Sequence, residues 1–244
     1  MNADYESDQL LAEYLLFHYG SAGEVLPSTR VWPEGMAEAV GFPLRTVGHF
    51  SPGQVSSALD LGCAVGRSAF ELAKSSERVI GLDYSHRFIE TAQRLAKGES
   101  VVYERLEEGR QSTTLAASAP NHVDLSRLSF VTGNAMDLPD DLGFFDRVHA
   151  ANVVCRLSEP LRMLERLPDL VASGGELLLA TPCTWLESFT PPANWPVGST
   201  LDWLKRHLGA CFELKLETEE SFLIRETARK FQWSSSMVTL WQRR

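Results

Sequence analysis

The chain has 244 residues, enough for one large α/β domain or two small ones, and its 44% hydrophobic and 23% charged residues place it in the ordinary soluble class with a sizeable core. Its formal net charge of -9, without a basic stripe, argues against nucleic acid as a partner, because phosphate contacts supply most of that affinity. The acidic start MNADYESDQL is no signal peptide and no apolar run approaches the ~20 residues of a membrane helix, so a cytoplasmic protein is expected.

In chain order, SDQLLAEYLLFHYG has helical periodicity, with Ser7 or Asp8 to cap its start and Gly20 to end it. The next thirty or so residues are broken by prolines and glycines and predict loops with a short helix. From Ser57 strands and helices alternate. SALDLG reads as a strand and RSAFELAKS as a helix; RVIGLD is a second strand and SHRFIETAQRLAK a second helix. Residues 98–127 interrupt the repeat, and SVVYERL and QSTTLAA around EEGR predict a β-hairpin on the rim. LSFVTGNA and FDRVHAANVV give a third and a fourth core strand. SEPLRMLERLPDLVAS predicts a helix closed by Gly174-Gly175, before a fifth strand in GELLLATP. The tail from Cys211 predicts an antiparallel edge pair around a helix or loop holding Arg225 to Lys230. Such alternation makes a Rossmann-like α/β fold, a mostly parallel sheet with helices on both faces.

Ligands of open α/β sheets bind at the carboxyl ends of the strands. The turn LDLGCAVGRSAFELA lies there, after the first strand. A dinucleotide fingerprint needs glycines at offsets 0, 2 and 5; counted from Gly62, the other two positions hold Ala64 and Arg67. The pattern Asp60-x-Gly62-x-Ala64-x-Gly66 instead resembles the first motif of S-adenosylmethionine (SAM) methyltransferases of class I. Asp83 ends the second strand, where a carboxylate accepts ribose hydroxyls, and Tyr84 follows it. Asn134, Ala135 and Met136 after the third strand are candidates for the adenine, and Asn152 after the fourth for the methyl-donor end. With Cys63 in the loop, these residues form the expected cofactor site for SAM, whose product is S-adenosylhomocysteine. The four cysteines, Cys63, Cys155, Cys183 and Cys211, make no CxxC, so neither a disulfide framework nor a metal site is expected.

YESDQLLAEYLLFHYGS, EVLP, FPLR and VVYERLEEG resemble the ovothiol-pathway methyltransferase over nearly the whole chain. The resemblance implies a seven-stranded sheet with an antiparallel C-terminal edge. It implies an N-terminal lid over residues 1–50, a core over 57–185 carrying the insertion, and an acceptor-side segment over 186–244. It further implies a standalone enzyme that methylates an imidazole nitrogen of 5-thiohistidine (4-mercaptohistidine), giving ovothiol A. STRVWP matches no pattern of that family.

A zwitterionic acceptor needs a cation for its carboxylate, and arginine suits it because its fork binds two oxygens. Arg45, Arg156, Arg225 and Arg229 are the candidates, and Arg45 could equally hold the carboxylate of SAM. Arg67 reads as an exposed first-turn residue. Tyr14 and His18 share a face of the first helix, with Tyr19 at its end; they either contact the ligands or pack the helix on the sheet. His18 and Asn152 are the positioning candidates. Trp185 either stacks on the acceptor ring or belongs to the core. Three other readings remain: a methyltransferase for another small metabolite (histidine-like, phenolic or quinone), a nicotinamide-dependent oxidoreductase, or a silent SAM-binding scaffold.

Overall fold

The computed structural model describes residues 3–244, so Met1 and Asn2 of the expected N-terminal segment lie outside it. Helix α1, Asp8–Tyr19, starts where the Ser7 hydroxyl accepts the Leu10 N–H, and it ends at Gly20. Two short helices follow. α2, Ala22–Val25, is set by a reciprocal cap between Ser21 and Glu24. α3, Phe42–Val47, has Pro43 in its first turn, where the missing N–H costs nothing.

The alternating core then runs β1 (Val55–Leu61), α4 (Arg67–Leu72), β2 (Ser76–Asp83) and α5 (His86–Ala96). The expected rim hairpin is β3 (Val101–Glu108) with β4 (Gln111–Ala117), paired antiparallel as a separate two-stranded sheet. The core resumes with β5 (Leu128–Thr132), β6 (Phe145–Ala151), α6 (Pro160–Arg166) and β7 (Val171–Thr181). Helix α7, Thr200–Leu208, precedes the edge pair β8 (Phe212–Arg225) and β9 (Phe231–Arg243).

The seven-stranded sheet has the order β5-β2-β1-β6-β7-β9-β8. Its first five strands are parallel, and β9 runs antiparallel to both β7 and β8. The chain winds outward from β1 in one direction and from β6 in the other, so a crevice opens above the carboxyl ends of these two strands. Side chains of period two divide the interior. Ala58, Leu178 and Leu240 face the layer of α1, α3, α4 and α5, while Leu59, Leu177 and Trp241 face α6 and α7.

Two boundaries differ from the sequence reading. The helix expected to close at Gly174-Gly175 ends at Arg166, because Pro168 cannot continue it. Both glycines lie inside β7, at an irregularity between the Val171 and Glu176 pairings with β6. Arg225 is the last residue of β8, and the turn after it closes through the Glu226 and Thr227 amides donating to the Lys230 carbonyl.

Candidate functional site

The turn after β1 folds onto the end of β2. The amides of Gly62 and Cys63 both donate to the Leu82 carbonyl, at 2.7 and 3.1 Å. Gly62, Ala64 and Gly66 all have left-handed backbones, with φ of 70°, 47° and 90°. A Cβ on Gly62 would stand 2.2 Å from Val153 Cγ2, and one on Gly66 2.8 Å from the Phe130 ring. Glycine is therefore required at both positions, whereas at Ala64 a methyl group is accommodated.

Asp83 meets this turn from β2. Its Oδ2 accepts the Ala64 amide and its Oδ1 the Ser85 amide, both at 2.9 Å. Burial pushes its carboxyl up to about 6, against the lowering effect of those amides. Beyond β5, Asn134 folds into a local turn in which its Oδ1 accepts the Met136 amide at 2.9 Å. Asn152, just past β6, also takes a left-handed backbone, φ 58°, and its Oδ1 accepts the Ser236 hydroxyl at 2.7 Å.

These segments line one cavity of about 480 Å³ at the carboxyl ends of the central strands. Helix α1 covers it with Tyr14, Phe17 and His18, and the N-terminal turn adds Tyr5. Tyr14 lies against Phe88 with ring centroids 4.9 Å apart. The Ser85 hydroxyl donates to the Tyr5 carbonyl at 3.0 Å and ties the N-terminal turn across the opening. His18 Nδ1 is buried with no hydrogen-bond partner among the described residues. Desolvation, with Arg67 and His149 nearby, holds its imidazole down to about 3, so the ring is neutral. The cavity floor holds Asp60, which is 1% exposed, and its Oδ2 likewise has no partner among the described residues.

A family model described as a methyltransferase domain matches residues 59–179, from the end of β1 to the end of β7. The chain carries a class I SAM-dependent methyltransferase domain. SAM is accordingly its methyl donor and S-adenosylhomocysteine the product. No curated protein sequence matches the chain. The methyltransferase has the fold of several solved structures. The YcgJ protein from Bacillus subtilis is 12% identical with a TM-score of 0.56, over 83% of this chain and 98% of that one. The N-methyltransferase NodS from Bradyrhizobium japonicum WM9 is 16% identical with a TM-score of 0.53, over 82% and 92%. A structure described under the conversion of a disulfide bond into a thioacetal group during echinomycin biosynthesis is 14% identical with a TM-score of 0.56. That match covers 97% of this chain and 93% of that one.

Of the residues expected at the methyltransferase's cofactor site, Asp60, Gly62, Cys63, Ala64, Asp83, Tyr84, Asn134, Ala135, Met136 and Asn152 line the cavity. Gly66 stands behind the loop, against Phe130 and Ala92. Of the residues expected at the acceptor, Tyr14, His18 and Arg156 line it. Tyr19 supports the loop from outside the cavity, its hydroxyl donating to the Val65 carbonyl at 2.7 Å. Arg45 pairs with Glu220 at 2.6 Å and also donates to the Val40 and Ser221 carbonyls, joining α3 to β8. Trp185 donates to the Thr200 hydroxyl at 3.0 Å and packs edge-on against Trp203. Arg225 is buried on Glu107 at 2.5 Å and on the carbonyls of Glu24 and Val25. Arg229 is exposed in the β8–β9 turn. Arg67, read as exposed, instead pairs with Glu71 at 2.8 Å with little of its side chain exposed.

Sequence reasoning missed Tyr5, Phe42, Phe88, His149 and Phe189 in the lining. For His149 a signal existed: an imidazole within the otherwise apolar run VHAA of a central strand. Phe189 has none, because the segment after β7 reaches the cavity through long-range packing.

Proposed function

We propose that the chain transfers a methyl group from SAM to an imidazole nitrogen of 5-thiohistidine, the last step of ovothiol A formation. The observation that carries this reading is Arg156. Among the described residues it is the only arginine or lysine lining the cavity, and it has no carboxylate within ion-pair distance. Its guanidinium is steadied by the Thr184 carbonyl at 3.0 Å and lies 4.8 Å from the Phe189 ring centroid. An unpaired guanidinium facing a cavity fits the carboxylate of an amino-acid acceptor. Arg45 and Arg225 are already satisfied by Glu220 and Glu107.

The residues present suit the donor. Asp60 Oδ2, buried and unpartnered, is an acceptor for its ammonium group. Asp83 would take the ribose hydroxyls, and the side-chain amide of Asn134, with Met136, would meet the adenine. When bound, SAM supplies an electrophilic methyl carbon on a sulfonium.

The protein's own part is alignment. A neutral imidazole nitrogen already carries its lone pair, so no general base is needed, and holding it in line supplies most of the acceleration. Tyr14 and Phe88, their rings in contact, offer an aromatic wall for the acceptor ring. His18, held neutral, adds a hydrogen bond without repelling a cationic donor.

Mass spectrometry of the product tests this, with the methyl group expected on a ring nitrogen and the thiol still free to alkylation. Arg156→Met should raise the KM for 5-thiohistidine at least about tenfold while leaving the Kd for SAM within about threefold. Methylation of sulfur, or an unchanged acceptor KM, contradicts the reading.

A further inference from the structure

His149 lies in β6 between Val148 and Ala150, both buried, and is itself 1% exposed. A polar ring at the centre of a sheet costs free energy unless its hydrogen bonds are made. Here both nitrogens are engaged. In the parallel register His149 stands opposite Asp60 of β1, and its Nδ1–H donates to Asp60 Oδ1 at 2.8 Å. Its Nε2 lies 3.0 Å from the Thr46 hydroxyl of α3, a side chain that is itself fully buried. Thr46 in turn lies within hydrogen-bond distance of the Phe42 and Pro43 carbonyls, at 3.2 and 3.3 Å.

This chain holds only one oxygen of the Asp60 carboxylate. The other, Oδ2, is buried at the cavity floor with no partner among the described residues. A carboxylate left untethered would turn about its Cβ–Cγ bond to recover a hydrogen bond. The tether removes that freedom and fixes which oxygen meets a ligand.

We infer that His149 is a positioning residue: backed by Thr46, it clamps Asp60 so that Oδ2 is held ready for the ammonium group of the bound donor. The inference rests on the donor reading above.

Two isosteric variants separate positioning from packing. Asparagine at 149 places its side-chain amide near the Nδ1 position and keeps the Asp60 bond. Glutamine reaches the Nε2 position and keeps only the Thr46 bond. Isothermal titration of S-adenosylhomocysteine, and of its analogue lacking the α-amino group, into each purified variant reads the difference. His149→Gln should weaken S-adenosylhomocysteine about tenfold while changing the desamino analogue less than about threefold. His149→Asn should hold both Kd values within about threefold of wild type. Thr46→Val, which removes only the outer support, should shift S-adenosylhomocysteine selectively in the same direction by less, and it carries the comparison if His149→Gln does not fold. Equal losses for the two ligands, or Asn and Gln variants that behave alike, overturn the proposal. Wild-type protein that binds neither ligand overturns the donor reading beneath it, and the inference with it.

Discussion

Ala64 has a left-handed backbone, φ 47°, between two glycines that share the conformation. For alanine this costs roughly 1 kcal/mol, and its amide bond to Asp83 offsets part of that cost. Ala64→Gly should therefore be nearly neutral, within about 1 kcal/mol, since relieved strain is balanced by greater freedom in the unfolded chain. Ala64→Val places a branched side chain where φ is positive and should destabilise by about 1–3 kcal/mol, weakening SAM binding as the loop shifts. Thermal unfolding and a SAM titration of both variants check this. Asp83 predicts a pH dependence. Burial raises its carboxyl to about 6 in the free protein, above the ordinary aspartate value, so the folded state takes up a proton as pH falls through 6. The stability this provides is fully present below about pH 4 and lost as pH rises through about 6. Ribose hydroxyls require the ionised acceptor, so SAM affinity should be flat above about pH 7 and fall towards tenfold per unit below about pH 6. An affinity unchanged between about pH 5 and 8 would contradict the assignment of Asp83.

Helix α1 packs on the core and also lines the cavity. Leu15 and Leu16, 1% and 2% exposed, anchor it, while Tyr14 and His18 reach the cavity. Leu16→Ala should cost about 2–5 kcal/mol in denaturant unfolding and raise the Kd for S-adenosylhomocysteine, because the helix carrying His18 is no longer seated. This helix was legible in the sequence because its signals are local: Ser7 at the start, Gly20 at the end and an apolar periodicity between them. The central strands were legible for the same reason. Helix α7 is not legible in the sequence, although Ser199 caps it through the Asp202 amide, because it follows a long irregular segment broken by four prolines. Gly174-Gly175 has the pattern of a helix stop, but Pro168 ends the helix earlier, and both glycines fall within β7 where its pairing with β6 is irregular. Arginine placement was the least legible. Arg45 and Arg225 each find a carboxylate on a distant element, Glu220 on β8 and Glu107 on β3, which no local pattern specifies.

At the level of the whole molecule, the side of the cavity proposed for the donor is lined by successive strand ends of one parallel sheet. The residues expected there recur at strand ends, so the sequence places them along one cavity. The side proposed for the acceptor is lined by α1, the N-terminal turn, Arg156 after β6 and Phe189 after β7. The ties that assemble it span long distances in sequence. Arg225, at the end of β8, binds Glu107 of the rim hairpin and the carbonyls of α2, while the Ala228 amide donates to the Glu107 carbonyl at 3.0 Å. Rim hairpin, edge strands and N-terminal segment are thereby joined. Substrate choice is therefore a property of the assembled chain and is best tested on the full protein. The most direct measurement is S-adenosylhomocysteine released by purified protein with SAM, in the presence and absence of 5-thiohistidine. Release that depends on 5-thiohistidine, saturates with it and exceeds that with histidine or a phenolic acceptor is the predicted result. Release no greater than in the acceptor-free control would contradict the account.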